Sequence, residues 1–191
     1  IRKEIVDTGA VDVMVSIGNK FFYSVTLPCA LWFFDRAKEN DEVRKDQVLM
    51  LDLRNVYRKV SSKIHDFTQA HLDNIHATVG LYRGDNTLFN TLIEDYKADG
   101  NETDLAWLTS RFPNGEYADV LGLCKVVNRE EIEANDYSLT PGRYVGVEDQ
   151  IDHDFDYATE MGNIKGELKT LNAEANDLAA QIQTNLDELG L

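Results

Sequence analysis

Apolar and polar positions alternate through Val11-Asp-Val-Met-Val-Ser-Ile17, just ahead of Gly18. That period predicts a half-buried strand with a turn after it. The next apolar stretch, Leu27 to Phe34, is unbroken until Asp35-Arg36 and predicts a strand covered on both faces. A charged connector, Ala37 to Asp46, leads to a third short strand at Val48 to Leu53, and Ile1 to Asp7 reads as helix-like. Three strands bury too little surface to stand alone. Residues 1–60 therefore read as the end of a larger α/β sheet.

Helical spacing dominates the rest. Thr68 is placed to cap a helix from Gln69 to Tyr82, with Leu72, Ile75, His76, Val79 and Tyr82 on one face and Gly84 stopping it. Leu88 to Lys97 is a second helix, ended by Gly100-Asn101, and Asn128 caps a short third one over Arg129 to Ala134. Tyr137 to Gly146 is a turn-rich segment around Pro141-Gly142. The final stretch is the most regular. Met161, Ile164, Leu168, Leu171, Ala175, Leu178 and Ile182 recur at alternating spacings of three and four, and Leu189 continues the seam past Asn185. Such heptads predict a long, coiled-coil-like helix packing against another helix, or else folded back on its own domain. The organisation expected is a sheet-bearing part at 1–60, a mainly helical extension with loops at 61–150, and an acidic linker with a long helix at 151–191.

Composition adds three constraints. The 191 residues are 43% apolar, enough for a real core. Two cysteines, Cys29 and Cys124, make no disulfide framework, which points to a reduced, cytoplasmic setting. Leu27 to Phe34 is far too short to cross a bilayer, so no membrane role is expected. The start at Ile1, without Met or a signal peptide, fits part of a longer chain. The net charge of −15 argues against a nucleic-acid surface spread over the whole molecule. It is unevenly shared, however. Residues 1–60 carry net +1, which confines any DNA contact to the first third and leaves the acidic remainder for protein or water.

Self-contained chemistry is scarce. The four histidines lack zinc-type spacing, so no metal site is expected. Asp149, Asp152, Asp154 and Asp156 lack the central Gly and terminal Glu of a calcium loop and read as a solvated linker. Two local features stand out. Phe21, Phe22 and Tyr23 are consecutive aromatics in a loop between strands and cannot all enter one core; they plug a hairpin or stack on something flat, such as a nucleobase. Arg54, Arg58, Lys59 and Lys63 form the densest basic cluster, either phosphate contacts or an ordinary solvated face.

The run from Val11 to Asp35 resembles the later part of the methyltransferase domain in modification subunits of type I restriction-modification systems. Val48-Leu-Met-Leu-Asp-Leu-Arg-Asn-Val-Tyr-Arg-Lys59, Val79-Gly-Leu-Tyr-Arg-Gly84, Gly122-Leu-Cys-Lys-Val126 and Tyr137-Ser-Leu-Thr-Pro-Gly-Arg-Tyr-Val-Gly146 follow in the same order, and the heptad tail completes the resemblance.

The resemblance implies a C-terminal piece of an S-adenosylmethionine-dependent DNA adenine-N6 methyltransferase. It would have a Rossmann-like sheet whose last two strands form a hairpin, here Val11 to Ile17 and Cys29 to Phe34. In such enzymes the flipped adenine is held by aromatic side chains. Phe22 is the best match for the hairpin aromatic, with Phe21 the alternative and Tyr23 adjacent. The family's glycine-rich cofactor motif and its Asn-Pro-Pro-Phe/Tyr motif are both absent from Ile1 to Leu191. This implies no catalytic residue here, no cofactor bound by this stretch alone, and no activity of the stretch in isolation. The implied partners are a DNA-specificity subunit, a second modification subunit, a restriction subunit and double-stranded DNA. The heptad helix, Met161 to Leu189, would dock on the specificity subunit. The competing expectation is a non-catalytic coiled-coil adaptor.

Overall fold

The computed structural model describes residues 1–147 and 157–188. They fall in two units, Ile1–Glu148 and Asp149–Leu191.

In the first unit, helix α1 (Arg2–Asp7) leads into β1 (Val11–Ile17), which pairs antiparallel with β2 (Cys29–Phe34) and parallel with β3 (Gln47–Leu53). A later strand, β6 (Cys124–Asn128), adds antiparallel to β3, giving the order β2-β1-β3-β6. A small separate hairpin, β4 (Arg58–Lys59) and β5 (His65–Asp66), follows β3. Val13, Val15 and Ile17 pack on one side of the sheet with Leu49, Leu51 and Leu53, against helices α2 (Gln69–Tyr82), α3 (Thr87–Asp99) and α4 (Glu102–Arg111). Val11, Met14, Val48 and Met50 form a second cluster on the other side with Ile132, Leu139, Tyr144 and Val145. Helix α5 (Arg129–Ala134) contributes Ile132 to it.

The positions of the first two strands are as expected, but their environments are exchanged. The alternating strand β1 is central and buried on both faces, because its polar Asp12 is matched by ion-pair partners rather than by water. The unbroken strand β2 is the sheet edge: among the described residues only β1 pairs with it, and Trp32 and Phe34 remain 41% and 52% exposed.

Helix α2 begins where Thr68 predicts. The Thr68 hydroxyl accepts from the His71 amide at 3.1 Å, and the Thr68 amide donates to His71 Nδ1 at 3.3 Å. Its buried face is rotated from the expected one, comprising Asn74, Ala77, Thr78, Leu81 and Tyr82, whereas Leu72 is exposed. Polar residues can line this inner face because they are satisfied there. Tyr96 Oη donates to Asn74 Oδ1 at 3.0 Å, and Thr78 Oγ1 donates to the Asn74 carbonyl at 2.9 Å. Gly100 ends α3 with φ of 68°, the left-handed C-cap that glycine adopts without penalty.

Strand β6 and helix α4 add to the elements that the sequence predicts. In the turn-rich segment, Leu139, Tyr144 and Val145 are core residues flanking a 3-10 turn at Pro141–Arg143.

The second unit contains helix α6 (Tyr157–Glu188), 32 residues long. Met161, Ile164, Leu168, Leu171, Ala175, Leu178 and Ile182 are all exposed along it. Leu189 and the carboxylates Asp149, Asp152, Asp154 and Asp156 lie outside the described residues.

Candidate functional site

The loop from Gly18 to Pro28 leaves the end of β1 pressed against β3. A Cβ on Gly18 would lie 2.9 Å from the Arg54 carbonyl oxygen, so only glycine permits this approach. Lys20 turns the chain with φ of 69°. Its carbonyl accepts from the His65 amide at 2.9 Å, tying the loop to β5. The three aromatics then separate. Phe21 packs inward against Phe67 at a 4.7 Å centroid distance and meets the edge of His65, which is itself stacked on Tyr57 at 4.0 Å. Phe22 is 44% exposed and Tyr23 93% exposed. The structure thus assigns Phe21 to anchoring and leaves Phe22 and Tyr23 on display.

The basic cluster also divides. Arg54 is clamped by Asp52, with Nε 2.9 and 3.0 Å from the two carboxylate oxygens and Nη2 at 2.6 Å. Arg58 forks onto Asp66 at 2.9 and 2.6 Å. These hydrogen bonds push both guanidinium pKa values up and hold Asp66 below the usual carboxylate range. Lys59 and Lys63 are exposed, and no carboxylate among the described residues lies within ion-pair distance of them. The Asp52–Arg54 pair sits directly over Gly142. A Cβ there would lie 2.3 Å from Arg54 Nη2, so the Pro141-Gly142 turn is shaped to receive the pair.

A buried ionic node, missed from sequence, sits at the other end of the sheet. Asp12 is fully buried and accepts from Arg83 Nε and Nη2 at 3.2 and 2.6 Å, from Arg44 Nη1 at 3.4 Å and from Tyr82 Oη at 3.4 Å. Lys38, 1% exposed, reaches Asp12 at 3.8 Å and donates to the carbonyls of Val11 and Gln47. Burial lowers its ammonium pKa to about 8. Burial and the adjacent Asp12 push the Tyr82 hydroxyl up. The partners lie scattered through residues 38–83, so no local pattern marks them.

Between the β1–β3 face and α2 lies a cavity of about 250 Å³, lined by Val13, Val15, Leu31, Phe33, Ile75 and Val79 among others. His76 and Arg83 are its only polar lining side chains. S-adenosylmethionine carries a sulfonium cation and a ribose diol, which call for carboxylate and hydrogen-bonding partners. This lining offers no acid and does not fit the group. In a larger depression of about 540 Å³ beside Gly9, Asp35 is already engaged by the Ala37 amide at 2.9 Å and by Arg44 at 3.9 Å. Among the described residues no group of three metal-ligating side chains is gathered, and no helix is long and apolar enough to cross a membrane.

A mixed sheet whose two outer strands run antiparallel to their neighbours, packed against helices, defines the class as α/β. A model of the N-6 DNA Methylase family matches residues 1–153, and the chain belongs to that family. The chain is 32% identical over 190 residues to the Type I restriction enzyme HindI methylase subunit of Haemophilus influenzae, covering 100% of this chain and 35% of that protein. It is 31% identical to the MjaIX methylase subunit of Methanocaldococcus jannaschii, over 100% of this chain and 29% of that one. It therefore spans about a third of the length of these relatives. A solved methyltransferase subunit of a type I restriction-modification system from Streptococcus thermophilus shares the fold at a TM-score of 0.51 and 18% identity, over 78% of this chain and 23% of that one.

Proposed function

We propose that this chain is the C-terminal part of the modification subunit of a type I restriction-modification system, an S-adenosylmethionine-dependent DNA adenine-N6 methyltransferase. The similarity to methylase subunits along the full chain carries this reading. It also favours the methyltransferase over a free-standing coiled-coil adaptor. The contribution of residues 18–28 is to the target base. An extruded adenine loses its stacking, and the displayed Phe22, with Tyr23 beside it, offers a replacement platform worth ~1–3 kcal/mol. Phe21 supports that platform from beneath through Phe67 and His65.

S-adenosylmethionine supplies the transferred methyl group and is held by residues outside this stretch, whose apolar cavity against α2 offers no acid to receive it. Residues 1–191 alone are accordingly inactive. Helix α6 docks through Met161, Ile164, Leu168, Leu171, Ala175, Leu178 and Ile182, with Leu189 extending the seam, onto helices of the DNA-specificity subunit. Its exposed apolar stripe supports that role. A second modification subunit, the restriction subunit and double-stranded DNA complete the assembly, in the cytoplasm.

The test is reconstitution of the modification subunit with its specificity subunit. Phe22→Ala is expected to weaken binding of a duplex containing 2-aminopurine at the target position by ~1–3 kcal/mol and to lose the fluorescence rise of base extrusion. Truncation before Tyr157 is expected to abolish co-purification with the specificity subunit. Methyl transfer by the 191-residue chain alone, or an unchanged fluorescence rise in Phe22→Ala, would overturn the reading.

A further inference from the structure

Residues 18–28 and 54–64 together contain Lys20, Arg54, Arg58, Lys59 and Lys63 and no carboxylate, in a chain of net charge −15. Folding makes these two stretches one surface. The His65 amide bonds the Lys20 carbonyl at 2.9 Å, and His65 faces Lys59 across the β4–β5 ladder. Lys20, His65 and Lys59 therefore lie on three adjacent passes of the chain, with a spacing of about 5 Å per pass. The Phe21–His65 contact and the close approach of Gly18 to Arg54 lock the two stretches together.

Within this surface the cations are not equivalent. Asp52 and Asp66, flanking the basic stretch, neutralise Arg54 and Arg58. No carboxylate among the described residues lies within ion-pair distance of the ammonium groups of Lys20, Lys59 or Lys63. An arginine already forked onto a carboxylate gives up that pairing to bind a phosphate, whereas an unpaired lysine gives up nothing and releases counterions from the nucleic acid.

We propose that the aromatic loop and the β4–β5 hairpin grip one DNA strand as a unit, with Lys20, Lys59 and Lys63 on its phosphates and Phe22 and Tyr23 against its extruded base. The proposal rests on the DNA-modification reading and sharpens it. The strand carrying the target base is held by three lysines, and Arg54 and Arg58 act as internal struts.

The experiment measures fluorescence anisotropy of a labelled duplex, with an adenine opposite an abasic site, titrated with the modification subunit reconstituted with its specificity subunit over a series of salt concentrations. Lys20→Ala/Lys59→Ala/Lys63→Ala is expected to weaken binding about tenfold or more and to flatten the plot of log Kd against log salt by about 2 to 3. The charge-matched Lys45→Ala/Lys97→Ala/Lys125→Ala is expected to keep the wild-type slope. Circular dichroism reports that both sets fold, and the single Lys59→Ala and Lys63→Ala variants, each flattening the slope by about 1, replace a triple that does not. Equal losses in the two triple sets overturn the grip while leaving the DNA-modification reading standing. Absence of salt-dependent binding by the wild-type complex overturns both the grip and a DNA-contacting role for this region.

Discussion

Arg83 Nη2 donates to the buried Asp12 carboxylate at 2.6 Å, fastening the C-terminal end of α2 to the start of β1. The same carboxylate faces Lys38 and Arg44 from the connector between β2 and β3. One acid thereby fastens two separate stretches of chain to the strand that leads to the aromatic loop.

Asp12→Asn is expected to destabilise the chain by ~3–5 kcal/mol, because Lys38 would be left as an uncompensated buried charge. Arg83→Met should cost far less, since the Arg83 side chain is 45% exposed and its loss leaves two cations on Asp12. Urea denaturation of both variants checks the order. Equal stabilities would mean that the node does not bear on folding.

Stability should rise with pH from about pH 8. Lys38 is lowered from 10.5 to about 8 in the folded chain by burial. Between these values the unfolded chain binds more protons, so ionisation favours the folded state as pH increases. The gain is at most ~1.4 kcal/mol per pH unit. From about pH 9 the buried Cys124 thiol, whose pKa burial also raises, opposes this rise, and above about pH 10 the sign reverses. Burial raises the folded pKa values of Tyr82, Tyr96 and Tyr117, so the unfolded chain then releases protons that the folded chain retains. Denaturation midpoints across this range should show the rise in wild type and its absence in Lys38→Met.

Gly18→Ala should cost ~1–3 kcal/mol, because the obstacle is the Arg54 backbone oxygen rather than a movable side chain. Gly84→Ala meets no neighbouring atom and pays only for its φ of 78°, ~1–2 kcal/mol. Urea denaturation of the two variants checks both costs, and an unchanged stability of Gly18→Ala would mean that the approach to Arg54 does not constrain the fold.

The β2 edge predicts self-association. Leu31, Trp32, Phe33 and Phe34 are exposed on an edge strand that carries no charged residue to block further pairing. Light scattering of the isolated chain should report oligomers at micromolar concentration. Phe34→Lys should raise the monomer fraction by placing a charge on that edge.

Where the needed information was local, the sequence was readable. Thr68 and Asn128 cap their helices through side-chain bonds three residues along the chain, and Gly100 stops α3 by its own backbone freedom. The strand limits at Val11–Ile17 also follow from residue order alone. β6 has no local signal because Cys124-Lys-Val-Val-Asn128 is too short to show a period, and its strand character comes from pairing with β3. The buried face of α2 departs from its apolar pattern for a related reason. Asn74 and Thr78 look like surface residues until Tyr96 and the helix backbone satisfy them.

Residue order sets most of the helix and strand limits, the uneven charge, the aromatic triplet and the heptad seam, because each is written in neighbouring residues. Tertiary structure alone decided which strand is central and which is the edge, which aromatic is anchored and which are displayed, and which cations are neutralised. Those outcomes depend on groups that meet only after folding: Asp12 with Arg83, Lys20 with His65, and Asp66 with Arg58. Burial and ion pairing are properties of the assembled surroundings, and residue order does not carry them.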